Sequence, residues 1–245
     1  MMTRLDLMLV RKGFVESREK AKQVIKSGKV VVDGMVVRKP GKMIGDDSDI
    51  VVLERMRYVS RGGMKLEAAL RDFGIDVRGM VAVDVGASKG GFTDCLLQSG
   101  ASRVYAIDVG HGQLSPKLAS DPRVISMEGV DIRDLGFLPE PVDIAVVDVS
   151  FISLRFVLPS VVPLLKEGSG IIIALIKPQF EGGRGVVDGR GVIRDEGLRE
   201  KIIEDLTRWI EGSGMKVLGL VRSPIPGKEG NVEYFALIRP EAWGR

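Results

Sequence analysis

Leu5, Met8 and Leu9 recur at spacings of three and four, the period of a helix that buries one stripe, and the pattern stops near Gly13. Ser17 then offers a hydroxyl to the orphan N–H groups of a second helix, with Glu19 in its first turn. That helix buries Ala21, Val24 and Ile25, while Arg18, Lys22 and Lys26 recur every four residues and form a cationic ridge on another face. Two apolar runs follow, Val30–Val32 and Met35–Val37, separated by Asp33-Gly34, the dipeptide favoured in a two-residue hairpin turn. A further strand is predicted over Asp49–Leu53.

The pattern changes after residue 57. The run from Arg55 to Gly63 reads as a linker, with its boundaries set at 58–63 between a module over 1–57 and a larger domain over 64–245. Lys65–Arg71 reads as a helix. Short apolar strands then alternate with helical stretches: Val81–Val85, Val104–Val109, Val124–Met127, Asp143–Val149 and Gly170–Ile176. A long helix is predicted over Asp195–Glu211, with Leu198, Ile202, Leu206 and Trp209 on one face. Alternation of this kind predicts an α/β fold, a mostly parallel sheet covered by helices on both faces. The last two strands, Met215–Val221 and Glu233–Ile238, have no helix between them, which puts an antiparallel strand into the sheet. Pro159 and Pro163 interrupt the helix expected after Ser153 and leave its limits open.

Composition narrows the function. At 44% hydrophobic and 28% charged, the 245 residues are those of an ordinary globular protein. Single copies of cysteine (Cys95) and histidine (His111) exclude an internal disulfide and Cys/His metal clusters, so no metal is expected. The lone cysteine suits a reducing compartment, so a cytoplasmic protein is expected; no apolar run reaches the length of a membrane helix and the charged N-terminus lacks a signal-peptide apolar region, so no membrane partner is expected. The net charge of +3 is unevenly placed: residues 1–60 carry +5 and the remainder −2. A basic module on a near-neutral body suits a polyanionic partner, with a solvated basic face as the alternative.

The first strand of the larger domain ends in Asp84-Val-Gly86-Ala-Ser88-Lys89-Gly90-Gly91-Phe92, a glycine-rich turn that lets backbone approach a cofactor as a helix opens. Ser88 stands at the second glycine of the dinucleotide fingerprint, which weakens a dehydrogenase reading. Asp108 ends the next strand, about 20 residues on, where an acid accepts from ribose hydroxyls, and Asp131 follows the third strand, where it can take an adenine amino group. Both fit a bound adenosine. The closing hairpin suits methyltransferases rather than dehydrogenases, by analogy of fold.

These residues resemble the FtsJ class of ribose 2′-O-methyltransferases, which uses a Lys–Asp–Lys–Glu tetrad. Lys65 stands in Ser60-Arg-Gly-Gly-Met-Lys65, Asp148 in Val146-Val-Asp148-Val-Ser-Phe, Lys177 in Leu175-Ile-Lys177-Pro-Gln-Phe-Glu and Glu233 in Gly230-Asn-Val-Glu233-Tyr-Phe. With the basic module in front, similar to the RNA-binding module first seen in ribosomal protein S-four, residues 3–240 resemble the TlyA family of ribosomal RNA cytidine 2′-O-methyltransferases. Tyr58 replaces the tryptophan that some relatives have in the linker. The resemblance implies S-adenosylmethionine as cofactor, bound by Asp84, Gly86, Ser88, Lys89, Gly90, Gly91, Phe92, Asp108 and Asp131. It implies ribosomal RNA or a ribosomal subunit as partner, gripped through Arg4, Arg18, Lys22, Lys26, Lys29 and Arg61.

The implied chemistry needs placement and removal of one proton, because a methylsulfonium is already activated. Lys177 is expected as general base, oriented by Asp148, with Lys65 as the neighbouring cation that lowers its pKa and Glu233 holding Lys65 or the ribose. A lone lysine at a strand end is more often a surface charge; the shared strand-end placement of the set, together with the order it shares with the family, raises it. His111 reads as loop or cofactor packing, and Cys95 as core. The run Gly182–Arg194, rich in glycine and arginine, reads either as a mobile lid touching phosphates or as an ordinary exposed loop. The alternative function is a non-catalytic RNA-binding factor of ribosome assembly. The haemolysin label that the family also carries has no support in an amphipathic or apolar membrane segment.

Overall fold

In the computed structural model, which describes residues 2–52, 57–183, 185–227 and 230–241, the chain divides after Arg57 into two units. In the first, β1 (Met2–Arg4) leads into α1 (Leu5–Arg11), and α2 (Arg18–Lys26) follows with Ser17 as its N-cap, accepting from the Lys20 N–H. The hairpin β2 (Val30–Val32) and β3 (Met35–Val36) turns through Asp33 and Gly34, both at positive φ as a two-residue turn requires. After β4 (Met43–Gly45) comes β5 (Ile50–Val52). β2 is central in a three-stranded antiparallel sheet and β1 pairs with β4. Leu5, Met8, Leu9, Val24 and Ile25 fill the core between helices and sheet, at the positions the periodicity selects. Leu53, at the end of the last strand expected here, lies outside the described residues, as do Arg55 and Met56 of the expected linker.

The second unit opens with α3 (Arg61–Phe73), four residues earlier than its apolar pattern suggests. Residues 58–63, expected as a linker, belong to this unit: Tyr58 and Val59 are buried in its core and Arg61–Gly63 are helical. Ser60 caps α3 by accepting from the Gly62 N–H. Low helical propensity made Gly62-Gly63 read as a loop. The glycines serve close approach instead, since a Cβ on Gly63 would overlap Cβ and Cγ of Tyr58.

Strands and helices then alternate: β6 (Val81–Val85), α4 (Gly91–Gln98), β7 (Arg103–Asp108), α5 (Pro116–Ala119), β8 (Val124–Glu128), α6 (Ile132–Leu135), β9 (Ile144–Val147), α7 (Leu154–Val161), β10 (Ile171–Ile176), α8 (Pro178–Glu181), α9 (Glu196–Gly212), β11 (Met215–Arg222) and β12 (Tyr234–Pro240). They build one seven-stranded sheet in the order β11-β12-β10-β9-β6-β7-β8. β6 to β10 are parallel, and β12 runs antiparallel between β10 and β11. Period-two alternation splits the sheet's side chains between two cores. Val83 and Val85 pack with α7 and α9 through Leu158 and Leu206, while Ala82 and Val146 pack with α3 and α4 through Leu66 and Leu96. Helix α7 forms despite Pro159, with Ser153 as N-cap.

Four chain segments are brought to one edge by this topology. The carboxyl ends of β6, β9 and β10 lie there, and because β12 is reversed its amino end joins them: Ile176 pairs with Tyr234. Ligands of open α/β sheets sit at that edge. Gly63→Ala, which adds a methyl into the Tyr58 contact, is expected to destabilise the second unit by about 2 kcal/mol, seen as a lower urea midpoint; an unchanged midpoint would contradict the close packing.

Candidate active site

Lys65 comes from the second turn of α3, Asp148 follows β9, Lys177 follows β10 and Glu233 precedes β12. These side chains meet in two ion pairs. Lys65 Nζ lies 2.5 Å from Glu233 Oε2, with both side chains buried. Lys177 Nζ lies 2.6 Å from Asp148 Oδ1 and donates to Ser150 Oγ at 2.8 Å. Asp148 Oδ1 accepts no aligned hydrogen bond, so its link to Lys177 is a close charge contact, and one of the three ammonium N–H groups goes to Ser150. All four residues line one cavity of about 900 Å³.

A second cavity of about 870 Å³ opens beside it, lined by Ile107, Asp108, Val130, Asp131 and Ile132. The two share Gly86, Ser88, Asp148, Ser150 and Phe151 along their common border. Gly86 holds φ +85, and a Cβ there would stand 2.5 Å from the Asp148 carbonyl oxygen, so the two strand ends can touch only through a glycine.

The residues expected around a cofactor divide among several roles. Gly86, Ser88, Lys89, Gly91 and Phe92 line the first cavity with Asp84; Gly90 does not, and instead starts α4 at φ +86 against Leu114 and Leu118. Asp108 accepts from the Ser88 N–H and the Gly110 N–H, each at 2.7 Å, and so fastens the glycine loop to β7. Asp131 lines the second cavity but also caps α6 and grips Arg133, whose guanidinium holds its carboxyl below the usual carboxylate range. Asp84 is fully buried; its Oδ2 accepts from the Thr93 N–H and hydroxyl, and its Oδ1 has no partner. Burial, together with the nearby Asp148 and Asp108 charges, pushes its carboxyl up to about 7.

Several residues that complete this edge carried no sequence signal beyond their place in the quoted motifs. Ser150 holds Lys177. Phe151, 90% exposed, adopts φ +63 and stands 5.0 Å from Phe180 between ring centroids, both rings bordering the first cavity. A bulky residue in the left-handed region is strained and marks a constrained position. Glu181 accepts from the Leu154 N–H and the Ser153 hydroxyl, tying the loop after β10 to the loop after β9; burial raises its pKa. Glu128 accepts from the N–H groups of Gly112, Gln113 and Leu114, which sets the loop that carries exposed His111. Cys95 is buried in the core.

The glycine- and arginine-rich segment is a braced turn over 188–194. Asp188 accepts from the N–H groups of Arg190 and Val192 and from Arg194 Nε, and Asn231 donates to the Gly191 carbonyl and accepts from the Ile193 N–H. Arg184, the first arginine of that segment, lies outside the described residues.

In the first unit, Arg4 and Arg18 both clasp the fully buried carboxylate of Asp6, and Arg4 above all holds it down at about 2. Lys22 pairs with Glu19. Lys26 is exposed and Lys29 half-buried on the same surface stretch. Arg61 stands in the second unit, lining the first cavity. Among the described residues no three His, Cys, Asp or Glu side chains gather as a metal site, and no helix is long and apolar enough to cross a membrane.

The chain matches the FtsJ-like methyltransferase family model over residues 58–239 and the S4 domain model over residues 3–51. It is 44% identical to Hemolysin A of Brachyspira hyodysenteriae over 95% of this chain and 98% of that one. It is 42% identical to the 16S/23S rRNA (cytidine-2'-O)-methyltransferase TlyA of Mycobacterium tuberculosis over 97% of this chain and 90% of that one. A solved structure from Streptococcus thermophilus, provisionally named a hemolysin, superposes with a TM-score of 0.77 at 43% identity, over 98% of this chain and 89% of that one.

Asp84 gives a test of the cavity's electrostatics. Its folded-state pKa is raised from 3.8 to about 7, so the native protein holds a proton that the unfolded chain releases between those values. Stability therefore falls as pH rises through that window, by at most about 1.4 kcal/mol per pH unit, and levels off above it. Asp84→Asn removes the titration. Its unfolding free energy relative to wild type is expected to improve from pH 5 to pH 8 in urea titrations; a difference independent of pH would overturn the assignment.

Proposed function

The chain belongs to the TlyA family, in which an S4 domain precedes an FtsJ-like methyltransferase domain, and on that premise we propose that it methylates the 2′-hydroxyl of a cytidine ribose in ribosomal RNA, using S-adenosylmethionine. The observation that carries the reading is the convergence of the Lys177–Asp148 and Lys65–Glu233 pairs in a cavity that borders a second one built from the glycine loop and two strand-end acids.

The residues fit the cofactor. The unpartnered Asp84 Oδ1 is a buried acceptor suited to an amino group, and Asp108 and Asp131 line a cavity of adenosine size with apolar walls from Ile107, Val130 and Ile132. When bound, S-adenosylmethionine supplies an activated methyl on a sulfonium. This chain's residues then place the acceptor oxygen and take its proton. Lys177 is the base, its Nζ held by Asp148 and Ser150 at the border of the two cavities. Lys65, anchored by Glu233, sets a second cation against the acceptor oxygen or its phosphate. Lys177 first gives an ammonium proton to solvent; its neutral amine then takes the proton of the ribose hydroxyl as the oxygen is methylated, which restores the ammonium beside Asp148. The Phe151–Phe180 pair offers an aromatic face on which an extruded base stacks.

In the first unit, Arg4, Arg18, Lys22, Lys26 and Lys29 supply phosphate contacts that hold structured RNA without reading its sequence. Two of these arginines are already oriented by Asp6.

The test is transfer of labelled methyl from S-adenosylmethionine to unmodified ribosomal subunits by wild type and Lys177→Met. Label on a ribose is expected, falling by about 100-fold or more in the variant, with cofactor affinity changed less than about twofold because Lys177 lines the acceptor cavity rather than the adenosine one. Full activity in the variant would refute the base. No label on any ribosomal substrate, with the cofactor bound, would refute the acceptor.

A further inference from the structure

Summed over its lining, the acceptor cavity is not neutral. Lys65 cancels against Glu233, and Lys177 against Asp148. Asp84, buried and crowded by carboxylates, is driven toward its neutral form. Three lining cations remain, Arg61, Lys89 and Arg190, and among the described residues none has a carboxylate partner. Elsewhere in this unit arginines are characteristically tied: Arg78 to Asp76, Arg123 to Asp121, Arg133 to Asp131, Arg194 to Asp188 and Arg208 to Asp205.

Arg190 is the informative member of the three, because its surroundings are built to present it. Asp188 accepts from the Arg190 N–H at 2.8 Å and from the Val192 N–H at 3.0 Å, and its other oxygen takes Arg194, leaving the Arg190 guanidinium unclaimed. Asn231, buried at 4% exposure, binds the turn on both sides of Gly191. Ile193 anchors the turn with its side chain in the protein. Asn231 lies two residues before Glu233, so the segment that places the Lys65 counter-ion also places this arginine. Hydrogen bonds to both Asp188 and Asn231 thus brace the backbone that carries an exposed guanidinium on a cavity wall.

We propose that Arg190 is a phosphate subsite of the acceptor cavity, gripping a backbone phosphate next to the target ribose and thereby setting the 2′-oxygen against Lys177. This rests on the reading of the cavity as a polynucleotide acceptor site. Guanidinium suits such a grip, because its planar fork gives two donors to one phosphate and a turn already braced loses little freedom on binding. The subsite fixes position and carries no base preference, which is left to contacts with the base itself.

The experiment compares full-length wild type, Arg190→Ala and Arg190→Lys for ribosomal RNA methylation and binding over a salt series, with S-adenosylmethionine affinity measured alongside. Arg190→Ala is expected to raise the KM for RNA about tenfold and to lower the slope of log affinity against log salt by about one. Cofactor affinity stays at the wild-type value, and Arg190→Lys keeps the slope while losing part of the affinity. Unchanged RNA KM and salt slope in Arg190→Ala would overturn the proposal. So would a loss of cofactor affinity with RNA binding intact, which would place Arg190 on the cofactor's carboxylate. Absence of methylation by wild type would instead strike the acceptor reading on which the subsite rests.

Discussion

The reversed strand β12 is the constraint on which the candidate site depends. In a wholly parallel sheet every strand offers the same end to the ligand edge, and the residues before each strand lie at the far side. Pairing β12 antiparallel to β10, with Tyr234 opposite Ile176, brings the residue before one strand beside the residue after the other. Glu233 and Lys177 are therefore neighbours across 56 positions of chain, and Lys65 reaches the same place from a helix packed on the sheet's face. Each charge arrives with its own counter-charge. Without Glu233 and Asp148 the one cavity would be lined by two uncompensated lysines with little exposure, an arrangement that buried charges avoid unless paired.

Order of elements was legible in the sequence because strand periodicity is a local signal, while Lys65, Asp148, Lys177 and Glu233 were singled out by motifs that resemble the FtsJ class. The hairpin at Asp33-Gly34, the N-cap at Ser17 and the apolar face of α9 follow from the same local rules. What escaped was tertiary. Ser60–Gly63 looked like linker because glycine disfavours helix, whereas Tyr58 and Phe92 demand a helix surface without side chains there. Neither reading of Gly182–Arg194, lid or exposed loop, contains Asn231, about 40 residues away, which hydrogen-bonds to the segment. Gly90 was grouped with the cofactor loop by spacing, yet its backbone faces Leu118. Asp108 and Asp131 stand where spacing put them, but both spend carboxylate lone pairs on backbone N–H groups of this chain, a role no spacing rule reveals.

Two buried acids mark where structure is kept at the expense of stability. Asp84 has one oxygen without a partner, and Glu181 sits where burial works against its ionised form more strongly than the Leu154 N–H, the Ser153 hydroxyl and the Arg155 charge favour it. A fold selected for stability alone would replace such groups with apolar ones. Their positions explain their retention. Asp84 precedes the glycine loop, and Glu181 ties the segment after Lys177 to the segment after Asp148 and Phe151 through Ser153 and Leu154.

Asp6, in the small basic unit, has an effect that reaches past its own ion pairs. Its carboxylate is inaccessible to solvent, while the two guanidiniums it holds are about half exposed. Their separation is thus set when the chain folds, before any polyanion arrives. Mobile cations on a surface accommodate phosphates at any spacing and discriminate poorly. Cations locked to a common buried anchor act as a gauge: a helical backbone whose phosphates match their separation binds without reorganising the protein, and one that does not must strain itself or forgo a contact. On the proposed reading of Arg4 and Arg18 as phosphate contacts, a single buried anion in a basic module thereby turns attraction by charge into selection by shape.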